Sequence, residues 1–186
     1  MAKTLTKAFF NRPTLAVAHD LLGKYIVRRI PASRGKPARV AALMITEVEA
    51  YDGPHDRASH AYRGRVLKSG RANRAAIMFG DAGNLYVYFT YGMHWLVNVV
   101  TGPRDYPAAI LIRGTDAVKG PARLTKFLKI DRTLNGKPAT HYATGLWFED
   151  RGVRIPCSRI VASRRIGVDY AGLVWAKKEW NFELGE

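Results

Sequence analysis

Residues 84–100 read NLYVYFTYGMHWLVNVV, and this stretch decides the architecture. Two runs of aromatic and β-branched residues flank Tyr91-Gly92. Such a pattern predicts an antiparallel hairpin over 85–100, with Gly92 supplying the backbone freedom of a tight turn. Tyr91 then sits at the tip, where an aromatic ring is seldom buried. Tyr86, Tyr88 and Trp95 crowd the same two strands, and clustered hairpin aromatics usually serve a core.

Working outward, the next informative stretch is ITEVEAYDGPHDRASH, residues 45–60. It closes a long strand expected over 40–51. Alternation along that strand puts Ile45, Glu47, Glu49 and Tyr51 on one face. Two carboxylates on a half-buried strand must be solvated, paired with Arg, or used in chemistry. The aromatic that follows on the same face favours a site. His60 lies in the loop returning from this strand and can approach Glu49 in space. His19, His55, His94 and His141 read as structural histidines.

The remaining pattern supplies strands over 25–30 and 107–113, and short ones in LWFED (146–150), VRIPC (153–157), RIVAS (159–163) and RRIGV (164–168). A helix opens at Asn11-Arg12-Pro13 with Asn11 as cap, and carries Leu15, Ala18, Leu21 and Leu22 on one face. A second helix starts at Gly120-Pro121, with Leu124, Phe127 and Leu128 at helical spacing. A short helix fits 71–78. Several strands, few helices and no βαβ alternation give the α+β class. At 186 residues the chain suits a single domain, 1–186, able to bury roughly 70% of its unfolded surface.

Lys and Arg outnumber Asp and Glu 30 to 15, a net charge of +15. Such an excess repels itself, so a polyanionic partner is expected, nucleic acid before an anionic membrane. The apolar runs are strand-length, which speaks against a membrane span. Lys3, Lys7 and Arg12 interrupt the first twenty residues, so no signal peptide is expected. PASRGKPAR (31–39) is a basic loop, and RGRVLKSGRANR (63–74) is a candidate phosphate track or a solvated loop. Cys157 is the only cysteine, so an internal disulfide and a thiolate zinc cluster are excluded, and a buried or inert thiol is expected.

Taken together, the segments resemble one family. FFNRPTLAVAHDLLGKYIVRRI (9–30), ITEVEAYDGPHDRASH, GNLYVYFTYGMHWLVNV (83–99), AAILIRG (108–114), GPARLTKFLKI (120–130) and RRIGVDYAG (164–172) resemble the 3-methyladenine (alkylpurine) DNA glycosylases, the type that includes the mammalian alkyladenine enzyme. The E-A-Y-x-G-P segment and the L-Y-V-Y-x-x-Y-G-M hairpin carry the resemblance. It implies a curved antiparallel sheet and a protruding hairpin that inserts into DNA.

The resemblance also implies roles. Glu49 matches the base that activates water, and Arg113 the arginine beside that carboxylate and water. Tyr51 matches the aromatic on one side of a flipped base. His60 and Tyr88 match the residues on its other side, with the His60 backbone meeting the base edge. Asn98 matches the residue that excludes the 2-amino group of guanine, and Tyr91 the side chain that fills the gap in the duplex. Two segments depart from the family pattern: the linker 113–120 is short, and the Arg-Asn-Arg pattern around 61–77 fits loosely.

The expected function is monofunctional hydrolysis of the N-glycosidic bond of alkylated or deaminated purines after base flipping, starting base excision repair. No metal and no organic cofactor is expected. The expected partner is double-stranded DNA bearing damaged purines, bound by a monomer in the cytoplasm at the nucleoid, or in the nucleus of a eukaryote. The alternative is a non-catalytic binder of single-stranded nucleic acid or RNA, which uses the same basic aromatic surface but leaves Glu49 without a task.

Overall fold

The computed structural model describes residues 2–33, 35–66 and 72–185. In chain order the regular elements are β1 (Lys3–Thr4), α1 (Lys7–Phe10), α2 (Thr14–Leu21), β2 (Tyr25–Ile30), β3 (Arg39–Asp52), β4 (Leu85–Thr90), β5 (His94–Val100), β6 (Ala108–Thr115), α3 (Pro121–Phe127), β7 (Leu146–Asp150), β8 (Ile160–Ser163), α4 (Leu173–Ala176) and β9 (Asn181–Leu184). The strands form one curled antiparallel sheet in the order β1-β7-β2-β3-β6-β5-β4, with β9 beside β3 and β8 beside β9. The chain is α+β, as its pattern predicts.

β3 organises the sheet by changing partners along its length. Residues 39–44 pair with β2, whereas Glu47, Val48 and Glu49 pair with β9 on one edge and with β6 on the other. The change coincides with register shifts on either side of Glu47, which mark a bulge. The bulge corrects the simple alternation. Leu43 and Ile45 face the main core before it, and Val48 and Ala50 face that core after it. Ile45 therefore does not share a face with Glu47, Glu49 and Tyr51, because one extra residue in the ladder reverses the phase.

α2 and α3 cover the core face. α2 buries Val17, Ala18 and Leu21, and α3 buries Leu124 ahead of Leu128. They meet Ile26, Val48, Val99, Ile110, Ile112 and Phe148. Each fully buried aliphatic or Phe side chain contributes about 1.5–3 kcal/mol, against about 1–2 kcal/mol for ordering one backbone residue.

Three expectations shift. α2 starts at Thr14 with Pro13 in the cap position, while Asn11 ends α1 and its side chain caps neither helix. The cause is Pro13, which disfavours helical geometry at Arg12 and separates the two turns. In place of a helix over 71–78 there is a 3₁₀ run, Arg74–Phe79, capped by the Asn73 side chain on Ala75 N–H; Arg71 lies outside the described residues. Residues 153–157 and 164–168 are not strands. Pro156 lacks the ladder donor, and Gly167 takes φ +73°. Cys157 is exposed. Among the described residues no helix is long and apolar enough to cross a membrane.

Candidate active site

The face of the sheet opposite the main core carries a row of neighbours across four strands, part of it packed in a second, smaller apolar cluster around Tyr86. Glu49 on β3 pairs with Leu111 on β6, Leu111 with Asn98 on β5, and Asn98 with Tyr86 on β4. Residues two steps along each strand share that face. Tyr51, Arg113, Leu96 and Tyr88 therefore stand beside the row, and all line one cleft of about 1110 Å³. The 57–63 loop, Arg74 and the 166–170 segment close its other sides. Glu49, Tyr51, His60, Tyr88, Tyr91, Asn98 and Arg113, named from the sequence, all line this cleft.

Glu49 is fully buried. Its Oε1 accepts from the Ile166 backbone N–H at 2.7 Å, lies 3.3 Å from Arg113 Nη1, and accepts from Asn181 Nδ2 at 3.3 Å. Its Oε2 accepts from the Tyr51 hydroxyl at 2.8 Å. A carboxylate oxygen offers two lone pairs. Oε1 is saturated, whereas Oε2, with the Tyr51 hydroxyl as its donor among the described residues, retains an acceptor site. Burial, reinforced by the Glu49 charge, pushes the Tyr51 phenol well above its usual range, so it stays protonated and donates. Burial opposes the Arg113 charge, but the Glu49 charge and the Glu47 hydrogen bond outweigh it and raise the Arg113 pKa.

His60 forms the facing wall. Ser59 caps the 3₁₀ turn that carries it by accepting from Ala61 N–H, and Asn73 Nδ2 ties the loop by donating to the carbonyls of His60 and Gly64 at 3.0 and 2.8 Å. His60 Nε2 lies 2.9 Å from Arg74 Nη2, and Nδ1 lies 3.0 Å from the Tyr86 hydroxyl. A guanidinium can only donate. Nε2 is therefore the acceptor, and the hydrogen-bond network assigns the proton to Nδ1, which donates to Tyr86. Burial, then the Arg74 charge, lower the His60 pKa to about 4, so the ring is neutral near pH 7. The His60 and Tyr88 rings meet edge-on at 4.7 Å, and Tyr86 stacks behind Tyr88 at 5.1 Å. Burial raises the Tyr88 hydroxyl to about 12.

Asn98 is buried, and its amide donates to the Tyr86 carbonyl at 3.0 Å, which fixes the side chain in the cleft floor. Tyr91 is the opposite case, 84% exposed at the hairpin tip. It takes φ +51° and Gly92 takes φ +67°, with Met93 N–H returning to the Thr90 carbonyl at 3.1 Å. Two left-handed residues give the turn that matches strand twist. A tyrosine in that conformation is strained, a condition that clusters at functional positions.

Sequence reasoning missed the supports. Asn181 and the Ile166 N–H reach Glu49 from 132 and 117 residues away, and Arg165 reaches Asp56 across 109. No local spacing announces such contacts; the only signal was the RRIGV segment, noticed without a role. Arg63 and Arg74 of the basic stretch line the cleft, whereas residues 67–71 lie outside the described residues.

The family model described as methylpurine-DNA glycosylase matches residues 8–119 and 114–186, nearly the whole chain. The chain belongs to the methylpurine-DNA glycosylase family. Relatives named "Putative 3-methyladenine DNA glycosylase" are similar over almost the full length. One from Anaeromyxobacter sp. strain Fw109-5 is 42% identical over 97% of this chain and 88% of its own. One from Methanocella arvoryzae is 40% identical over 96% and 90%, and one from Psychrobacter cryohalolentis 38% over 97% and 90%. The protein is thus a DNA glycosylase, a hydrolase of N-glycosyl bonds in base excision repair, and the cleft is the candidate seat of that hydrolysis.

Proposed function

We propose that this glycosylase removes alkylated or deaminated purines from double-stranded DNA by flipping the nucleotide into the aromatic cleft, in the manner of the alkyladenine type. The observation that carries the reading is the fully buried Glu49 carboxyl, with Oε1 saturated and Oε2 retaining an acceptor site, in the lining of a cleft walled by Tyr51, His60 and Tyr88. The base stacks between Tyr51 and the His60–Tyr88 pair, and the His60 backbone meets its edge. Asn98 bars the 2-amino group of guanine. Tyr91 fills the gap left in the duplex, at an extrusion cost of about a few kcal/mol, least for damaged bases.

The chemistry follows from the oxygens. Departure of the base leaves positive character on the sugar, as in glycoside hydrolysis. Glu49 stabilises that charge and takes the proton of the attacking water at Oε2, while Arg113 orients the carboxylate from the Oε1 side. Water is the nucleophile, so the enzyme is monofunctional and needs neither metal nor organic cofactor. The whole chain, 1–186, serves as one domain. It acts as a monomer in the cytoplasm at the nucleoid, or in the nucleus of a eukaryote. The rival reading, a binder of single-stranded nucleic acid or RNA, finds no support in the family match.

The test is a duplex holding one hypoxanthine or ethenoadenine. Abasic sites should form in excess EDTA, leave the strand intact until alkali is added, and yield no borohydride-trapped complex. Glu49→Gln should abolish release and keep lesion binding. Release within about tenfold of wild type in Glu49→Gln would remove Glu49 from the role of base.

A further inference from the structure

Glu47 belongs to no step above, yet the fold builds a place for it. The bulge in β3 brackets Glu47 and turns it onto the same side as Glu49. Its partner across the ladder is Gly114, where a Cβ would come within 3.1 Å of Glu47 Cβ and 3.3 Å of its Oε2. A side chain at 114 would crowd Glu47, which would have to give by a few tenths of an ångström. Arg113 donates from Nε to Glu47 Oε1 at 2.7 Å, shorter than the 3.3 Å from its Nη1 to Glu49 Oε1. Asn181 Nδ2 bridges both carboxylates, at 3.0 Å to Glu47 Oε1 and 3.3 Å to Glu49 Oε1. One guanidinium and one amide are thus shared between two acids, and the closer hydrogen bonds go to Glu47.

We propose that Glu47 is a positioning residue: it holds the Arg113 guanidinium by Nε, so that Arg113 reaches Glu49 only at Oε1 and leaves Oε2 open to water. This rests on the reading of Glu49 as the base. Without the Glu47 charge, Arg113 loses its nearest acceptor and turns onto Glu49, where a planar fork pairs with both oxygens of a carboxylate. Oε2 is then engaged and the water loses its acceptor. The other groups facing this pair do not replace Glu47. Tyr51 on β3 and Tyr88 on β4 are protonated phenols, and Asn181 on β9 is neutral. Arg165, over the Tyr51 ring, is held by Asp56, and the exposed Glu183 on β9 is the cross-strand neighbour of Glu47.

The experiment is single-turnover base release from a hypoxanthine duplex across pH, for wild type, Glu47→Gln, Glu47→Asp, and Glu47→Gln on an Arg113→Met background. Glu47→Gln should slow release about tenfold or more and move the acid limb of the rate profile to lower pH, with duplex affinity kept within about twofold. Glu47→Asp, which keeps the charge, should return the acid limb to its wild-type place. On the Arg113→Met background Glu47→Gln should add nothing further. The inference is overturned if Glu47→Gln matches wild type in rate and acid limb, or if it slows release equally with and without Arg113. Should Glu49→Gln remain active, the reading of Glu49 itself fails; an inactive Glu49→Gln beside a wild-type-like Glu47→Gln sinks this inference alone.

Discussion

Arg165 and Asp56 meet in a fully buried bidentate ion pair, with Nη1–Oδ2 at 2.6 Å and Nη2–Oδ1 at 2.9 Å. Asp56 also accepts from the backbone N–H groups of Asp52 and Ala58, so it folds the loop after β3. Arg165 donates to the Ala50 and Trp175 carbonyls, and its guanidinium lies 4.8 Å from the Tyr51 ring and 5.0 Å from Trp180. The next residue, Ile166, donates its N–H to Glu49. The pair therefore sets where that donor stands.

Removing one partner of this pair leaves a buried charge uncompensated. Asp56→Ala should lose about 3–5 kcal/mol of stability, read as the shift of the urea midpoint at constant slope. A loss below about 1 kcal/mol would mean that water enters and solvates Arg165.

Tyr51 carries two functions that substitution can separate. Tyr51→Phe keeps the ring but removes the one donor to Glu49 Oε2 among the described residues, a hydrogen bond to a charged group worth about 1.5–3 kcal/mol. Tyr51→Ala removes the ring as well, and base–aromatic stacking adds about 1–3 kcal/mol. Single-turnover base release should fall further in Ala than in Phe. Equal losses would assign the whole effect to the hydroxyl.

His60 links stability to acid. Its folded pKa, about 4, lies below the ordinary 6.5, so the unfolded chain binds the proton more readily. Its contribution is fully present above pH 6.5 and is lost as pH falls toward 4, by at most about 3 kcal/mol. Urea titrations at pH 7 and 4.5 should show this loss in wild type and a smaller one in His60→Gln. Arg74→Met should raise the His60 pKa only part of the way, because burial is the larger cause; an NMR titration of the ring decides this.

Tyr91 trades stability for its place at the tip. Glycine accepts φ +51° without the strain that tyrosine bears there, and the exposed ring has little packing to lose. Tyr91→Gly should melt at or above the wild-type temperature. The same variant should lower the flipped population, followed by ethenoadenine fluorescence, by about one to two orders of magnitude. A variant that flips the base as well as wild type would make Tyr91 a surface residue without a wedge role.

Much of the fold was legible because its signals are local. Alternating β-branched and aromatic residues placed β2 over 25–30, and the hairpin over 85–100 with Tyr91-Gly92 in its turn. Gly120-Pro121 placed the start of α3. The period of two also set Glu49 and Tyr51 side by side, and the resemblance supplied seven residues that do line one cleft.

The rest is not written in any short window. The bulge at Glu47 depends on how β6 and β9 bracket β3, and it sends Ile45 to the core and Glu47 to the side of Glu49. Asn181 and the Ile166 N–H reach the carboxylate from more than a hundred residues away, and Arg165 reaches Asp56 across 109. Periodicity and turn chemistry act over a few residues, so the sequence by itself determined the strands, the hairpin and the carboxylate beside its aromatic. Which groups satisfy that carboxylate, and which oxygen is left free, only the tertiary structure decided, because a buried charge takes its partners from whatever the closed sheet brings within hydrogen-bond reach.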